Sequence, residues 1–496
     1  MWMNWHSWLG LKLSLLMLVI CITGTIAVVS HEIDWLLDSD LRLEKTGTVI
    51  NWDAMATNIK TLYPQRRLVF IDRPLYSNAA SIALTVDPFL GARRVYLNPY
   101  TGNIIAEKPW YASVQRVVRE LHRYMLSPVA GIYLVGPFGL ILLASLITAL
   151  LCYKKWWRGF FKLRINNGAR AFWGSLHKVA GLWSLWFVAL ISITGSWYLV
   201  EAVISDVGIE LQADKAALHT PQFNTRKVIE KQLPPSAAIK KAKAQFEQFT
   251  VATVFFPKDQ KTPYVISGFT DIPIVSASSN VVTIDAISGV LLSLKKTSEQ
   301  SAVEIWIDLA DPLHFGDFAG LWVKAIWFVF GLMLCALCAI GIVIFLKRIK
   351  NRSTERSFSA KVWGRARFAM YVYLLVPILS GSYLFAEVND WLPRAQLVKI
   401  SAINIDEKPG FLLLGKRDDY FYLGVFLECQ CLMLPTELSL VLKNGTSIPF
   451  QSNKLGFLGK SARLLPAQLK DMAYLEWRQY KKVRLRKYIG AVDIEL

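Results

Sequence analysis

The chain has 496 residues, 53% of them hydrophobic and only 19% charged, which is more apolar mass than one soluble core of ordinary size buries. An aromatic content of 12% excludes a disordered or low-complexity chain, and six Cys, none of them in a CxxCH sequence, exclude a disulfide scaffold and covalent cofactor attachment of that type. The net charge of +19 admits a nucleic-acid partner, but no helix-turn-helix, zinc-finger or stacking-platform pattern accompanies it, so no nucleic acid is expected.

Five stretches are apolar for about the 20 residues needed to cross a hydrocarbon layer: 10–30, 130–153, 179–200, 321–346 and 368–388. The first lacks a small-residue cleavage site after a short apolar run and reads as a retained anchor within residues 1–30. Residues 31–129 then form a first outward domain. The loop 154–178 carries Lys154, Lys155, Arg158, Lys162, Arg164 and Arg170 with no acid before residue 170, and the loop 347–367 carries eight Lys or Arg against Glu355 alone. The positive-inside rule puts both loops in the cytoplasm, with the N-terminus, and puts the second domain, 201–320, outside. The basic surplus is thus mostly a topology signal. Parity places the C-terminal region, 389–496, outside as well, although its basic end, from Arg478 to Lys487, would prefer the cytoplasm. A sixth span over 420–434 is rejected because it is short and interrupted by Glu428.

The spans repeat. In the first, Gly10, Leu11 and Gly24 follow His6 by four, five and eighteen residues; in the third, Gly181, Leu182 and Gly195 follow His177 by the same intervals, and both contain Ile-Thr-Gly. The outward segments repeat too. The sequence from Val95 to Gly102 leads to Leu121-His122, and that from Val282 to Gly289 leads to Leu313-His314, each reading as strand, tight turn and strand. Ala149 and Gly341 both lie twenty-seven residues after their histidines. The fifth span resembles a third copy, with Ser380-Gly381 in place of the Thr-Gly, but Trp363 stands where its histidine would be.

Topology sorts the repeated histidines into two layers, His6 and His177 at the cytoplasmic ends and His122 and His314 at the outward ends. Two copies related by a pseudo-twofold axis along the membrane normal would set each pair across that axis, where a haem iron could receive one imidazole from each side. The alternative is an interfacial histidine that anchors or caps a helix end. His31, at the outward end of the first span, has Ala202 as its counterpart in the third and is the rival ligand for the outer iron. Eighteen residues make five helical turns, so Gly24 and Gly195 share a stripe with their histidines. Such a stripe either leaves room for a flat macrocycle or lets helices pack closely. Asp311, Asp317 and Arg123 flank the outer histidines and suit orienting an imidazole or meeting a propionate. His219 reads as ordinary surface, Cys335 and Cys338 as packing, and Cys429 with Cys431 as a structural pair before a soft-metal site.

These motifs together resemble the PepSY-associated transmembrane family, bacterial inner-membrane proteins linked to iron acquisition that include di-haem ferric-siderophore reductases. The resemblance rests on the two His-x3-Gly-Leu spans, the hairpins ending at Gly102 and Gly289, which look like PepSY modules, and His122 and His314 before the even spans. It covers about residues 1–350. It implies an α-helical integral membrane protein with α+β PepSY-like extracytoplasmic domains: a four-helix haem-binding bundle from the duplication, plus a fifth helix. It further implies two b-type haems and electron flow from the cytoplasm to a periplasmic ferric-siderophore or similar iron complex. The flavin or nicotinamide domain fused to some relatives is absent, so the electron donor must be a separate cytoplasmic or membrane component. Two rival readings are a haem-free regulator whose outward modules bind a peptidase or envelope partner, and a His-lined metal permease; the second is disfavoured because the spans hold almost no acidic or polar residues.

Overall fold

The computed structural model describes residues 2, 6, 14–87, 91–127, 131–209, 232–258, 262–271, 274, 276–350, 367–388, 396–405, 408–417, 420–427, 438–449, 451–452, 460–465, 467–468, 471–477 and 480–484. His219, Trp363, Cys429 and Cys431 lie outside the described residues.

Helices occupy all five apolar stretches. Helix α1 (Ser14–Val28) continues after a 62° bend into α2 (Ser30–Leu37). Helix α3 (Trp52–Leu62) belongs to the first cap repeat and is followed there by strands β1 (Arg67–Asp72), β2 (Ser81–Asp87), β3 (Gly91–Leu97) and β4 (Ile104–Pro109) and helix α4 (Val114–Tyr124). The second span comprises α5 (Gly131–Val135) and α6 (Pro137–Cys152), followed by α7 (Gly168–Trp183) and α8 (Leu185–Asp206). The second cap repeat runs α9 (Pro235–Lys243), β5 (Thr250–Phe255), β6 (Tyr264–Phe269), β7 (Asn280–Ile284), β8 (Leu291–Lys295) and α10 (Ala302–Phe315). Helices α11 (Leu321–Lys350) and α12 (Arg367–Val388) complete the set.

Among the described residues three helices are long and apolar enough to cross a membrane, over Gly131–Cys152, Leu185–Asp206 and Leu321–Phe345, and the bent α1–α2 pair makes a fourth candidate. In α12 the apolar part, Met370–Tyr383, is shorter than a full span. The third span starts later than its sequence suggests because the helix breaks at Ser184. This residue is fully buried and turns its hydroxyl back onto the Ala180 carbonyl at 2.7 Å, the local competition that makes Ser a poor mid-helix residue. His177 therefore sits on α7 and Gly195 on α8, and their shared stripe is interrupted.

Helix α1 packs on α11 and α6 on α8, so each half of the duplication contributes one helix to each pair. These interfaces close at small residues. A Cβ on Gly331 would fall 2.7 Å from Thr25 Oγ1, and one on Gly139 would fall 2.6 Å from the Ser196 nitrogen, approaches that only glycine permits.

The two outward segments form a single cap. Their strands make one eight-stranded antiparallel sheet, ordered β4-β3-β2-β1-β5-β6-β7-β8. The halves join where β1 pairs with β5 at Phe70↔Phe255, Ile71↔Val254 and Asp72↔Thr253. One face carries α3 and α9 over a shared core in which Met55, Ile59, Ile71, Ala238, Val254, Ile266 and Val282 are fully buried. At the seam Thr253 donates to Asp72 at 2.6 Å, and burial pushes the Asp72 carboxyl up to about 6.

The hairpin turns match residue for residue. Asn98 accepts from Tyr100 and Thr101 nitrogens at 2.9 and 3.2 Å, Asp285 accepts from Ile287 and Ser288 nitrogens at 3.1 and 2.6 Å, and Gly102 and Gly289 close the turns at φ +78° and +69°. Asn58 on α3 and Lys241 on α9 donate to the Gly102 and Gly289 carbonyls, at 2.9 and 2.7 Å. The rejected sixth span begins as a strand, β11 (Tyr420–Leu427), in one of two further antiparallel sheets among the described residues, where it lies between β10 (Lys408–Arg417), itself paired with β9 (Gln396–Ile405), and a later C-terminal strand.

Candidate functional site

Two pairs of imidazoles face each other inside the helices. The rings of His6 and His177 have centroids 6.4 Å apart at 67°, and those of His122 and His314 are 6.1 Å apart at 40°. All four histidines are partly buried and line cavities. The basic-loop-side cavity, about 400 Å³, is bounded by His6, His177, Ala149, Gly181 and Gly341; the cap-side cavity, about 120 Å³, by His122, His314, Gly24, Gly195 and Arg123. Met17, Leu142 and Leu334 border both cavities, so the two lie one above the other with apolar side chains between.

The outer nitrogens of three rings are fixed. His122 Nδ1 meets the Ile20 carbonyl at 2.9 Å and His6 Nδ1 meets the Ser145 carbonyl at 3.0 Å; a carbonyl can only accept, so each Nδ1 carries the proton. The Thr194 hydroxyl donates to the Leu190 carbonyl at 2.8 Å and therefore accepts from His314 Nδ1, also at 2.8 Å. In each of these rings Nε2 is left as the unprotonated nitrogen, the form that binds a metal. His177 Nδ1 is buried without a hydrogen bond of ordinary geometry among the described residues.

The threonines of the two Ile-Thr-Gly motifs are the site residues that sequence reading overlooked. Thr194 holds His314, and Thr23, 3.5 Å from His122 Nδ1, stands in the same relation to its own histidine. Their signal lies in the repeat itself, where each stands immediately before the matching glycine, Gly24 or Gly195.

The glycines divide. A Cβ on Gly24 would lie 2.7 Å from His122 Cε1, so this glycine makes room for the imidazole itself. At Gly195 the nearest atoms, His314 Cε1 and the Gly139 Cα, are 3.8 Å away, an ordinary contact that serves both the site and the α6–α8 interface. Gly341 lies 3.7 Å from His177 Cε1. His31 is not brought to the outer pair. It is exposed, borders neither cavity, and its charged surroundings are Lys324, Glu32, Arg119 and Arg94. Cys335 packs 3.5 Å from the Thr25 hydroxyl.

Each pair suits a particular kind of metal group. An ion midway between two imidazoles, with bonds of about 2 Å and about 1.1 Å from nitrogen to ring centre, sets the centroids about 6 Å apart, as both pairs are. Among the described residues no cluster of three or more His, Cys, Asp or Glu is placed to hold a bare ion. Two axial nitrogens without further ligands fit a metal that brings its own equatorial donors, as a porphyrin iron does.

Fold and site define a duplicated multi-helix membrane protein that gathers paired imidazoles beneath an α+β cap. The chain belongs to the PepSY-associated transmembrane family: the family model described as "PepSY-associated TM region" matches residues 3–348. No curated protein matches it at a significant level.

Proposed function

We propose that this protein is a transmembrane electron conduit of the bacterial inner membrane. In this reading it holds two b-type haems, one between His6 and His177 and one between His122 and His314. Electrons pass from a separate donor on the basic-loop side to a ferric-siderophore or similar iron complex on the cap side. The observation that carries the reading is the stacking of two facing imidazole pairs, each drawn from both halves of the duplication. Bound haem would supply one-electron chemistry, and six-coordination by two imidazoles favours electron transfer over ligand binding at the iron. The chain's own part is to hold the rings. Ser145, Ile20 and Thr194 take the Nδ1 protons and leave Nε2 free, while Gly24 admits the His122 ring. The apolar linings exclude water. At the acceptor, hard oxygen donors hold Fe(III) more tightly than Fe(II), so adding one electron loosens the metal.

The test is a visible spectrum of the detergent-purified chain with haem quantified per polypeptide. The reading expects a Soret band, sharp α and β bands on reduction, and two haems per chain. It also expects His177→Ala to retain about half the haem, because only one of the two ligand pairs is broken. A colourless preparation, or one whose haem content His177→Ala leaves unchanged, would refute the assignment and favour the haem-free regulator.

A further inference from the structure

The duplication is not symmetric in charge around the cap-side pair. Three residues before and one after His122 stand Arg119 and Arg123; the matching positions around His314 are Asp311 and Phe315. Arg119 reaches across to the other copy: its guanidinium lies 5.1 Å over the Phe315 ring, and Arg123, Asp311, Arg116 and Tyr198 act on its charge. Arg123 and Phe315 both border the cap-side cavity.

These cations have no directly bonded acid among the described residues. Neither Arg119 nor Arg123 forms an ion pair among the described residues, and Arg119 Nε is buried without a hydrogen-bond partner. Asp311 and Asp317 of the opposing copy act on Arg119 through space without an ion pair, and Asp311 accepts from the Tyr198 hydroxyl at 2.6 Å. Nearby, Glu32 is taken by Lys324 and Tyr76, at 2.8 and 2.9 Å. Burial pulls the Arg119 pKa below the usual arginine value, and Arg123 adds to the effect. Arg123 lines the apolar cavity and Arg119 stands one helical turn before it with its Nε unpaired, so a carboxylate reaching this rim meets free guanidinium donors.

We propose that Arg119 and Arg123 form a carboxylate seat at the rim of the cap-side cavity, aligning whatever occupies it so that its acidic edge faces the cap. The guanidinium fork fits a carboxylate with two parallel hydrogen bonds, and its aromatic neighbour holds it in plane. Two sources carry this chemistry: the propionates of a porphyrin held by His122 and His314, or a soluble polycarboxylate arriving from the cap side. The first rests on the haem reading above; the second does not.

The experiment uses the full chain in detergent, as wild type, Arg123→Gln and Arg119→Gln/Arg123→Gln. Each is titrated with haem, with haem dimethyl ester and with citrate alone, read by the Soret band and by quenching of tryptophan fluorescence. If porphyrin carboxylates fill the seat, one wild-type site prefers free-acid haem over the ester by about 10- to 100-fold. The double variant then loses that preference with its ester affinity unchanged, and the single variant falls between, which covers a double variant that folds poorly. If the source is soluble, citrate quenches the wild type and not the variants, and esterification has no effect. The seat is overturned if neither ester discrimination nor a citrate response appears, or if the variants match wild type in both. A chain that binds neither porphyrin form ends the haem reading, while the citrate arm still decides the seat.

Discussion

The two equivalent glycines, Gly24 and Gly195, are expected to respond in opposite ways to the same substitution. In Gly24→Ala the new methyl would stand 2.7 Å from His122 Cε1 and 3.0 Å from Nδ1. An ordinary contact begins near 3.4 Å, so the ring must retreat by several tenths of an ångström and strain the 2.9 Å bond to Ile20. Overpacking of this kind costs about 1–3 kcal/mol, and a weakened buried hydrogen bond adds about 1 kcal/mol. Helix propensity returns about 0.5–1 kcal/mol for Gly to Ala. The balance is a loss of about 1–3 kcal/mol, together with a displaced imidazole. In Gly195→Ala the nearest atoms are 3.8 Å away, so the propensity gain stands almost alone and the variant should be as stable as wild type or slightly more so. Thermal unfolding in detergent, followed by tryptophan fluorescence, reads the stability difference without any cofactor, and haem per chain reads the displaced ring. Equal behaviour of the two variants would show that His122 does not rest on Gly24, and the placement of the cap-side pair would fall with it.

Thr194→Val removes the only hydrogen-bond partner that His314 Nδ1 has among the described residues, at a cost of about 1–2 kcal/mol, whereas Thr194→Ser should restore most of it; a Soret maximum and melting temperature that do not separate Val from Ser would contradict the assigned bond. Asp72 gives the cap a pH dependence. Its folded pKa, raised to about 6, exceeds the unfolded value of 3.8, so the native state holds the proton longer and stability falls as pH rises from about 4 to about 6. Asp72→Asn should flatten that fall, by at most about 3 kcal/mol for a two-unit shift, in urea melts at pH 4 and pH 7. Ile71→Ala at the seam should cost about 2–5 kcal/mol and weaken both halves in one transition; separate transitions in hydrogen exchange of β3 and β7 would show that the sheet is not a single cooperative unit.

Much of this arrangement was legible before any coordinates because the duplication supplied an internal comparison. His6 with His177 and His122 with His314 could be paired from spacing alone, since two copies facing each other must bring equivalent positions together. The hairpins were legible for a local reason: Asn98 and Asp285 cap turns that Gly102 and Gly289 close, and that chemistry depends on a few neighbouring residues. What spacing does not carry is the contact between copies. Nothing in β1 or β5 marks them as partners, because an edge strand and a paired strand share the same alternation, so two expected domains became one sheet. The break at Ser184 was hidden because a serine inside an apolar run reads as tolerated polarity until its hydroxyl is seen bonding to Ala180. His31 was a plausible rival on depth alone; the 62° bend after Val28 puts it on α2, outside the cavity that α1 helps to line.

The joined sheet explains how a duplicated chain can hold its paired histidines in register. Each pair takes one ring from each copy, and a shift between copies by a single helical turn, about 5 Å, would separate rings that now sit about 6 Å apart. The membrane helices restrain such a shift through small-residue contacts, Gly331 on Thr25 and Gly139 on Ser196, which fix distance well but sliding less firmly. The cap supplies the second restraint. Asp34 on α2 binds the Ser113 hydroxyl and the Val114 and Gln115 nitrogens at the start of α4, at 2.7, 2.7 and 3.1 Å, and α4 carries His122. On the other copy Lys295 of β8 pairs at 2.9 Å with Asp308 of α10, which carries His314. Both histidine-bearing helices are thus tied to elements that the β1–β5 seam or the first helix pair holds in place. Weakening the β1–β5 seam, rather than cutting the connection between the copies, should therefore be what lets the two rings of each pair slide apart.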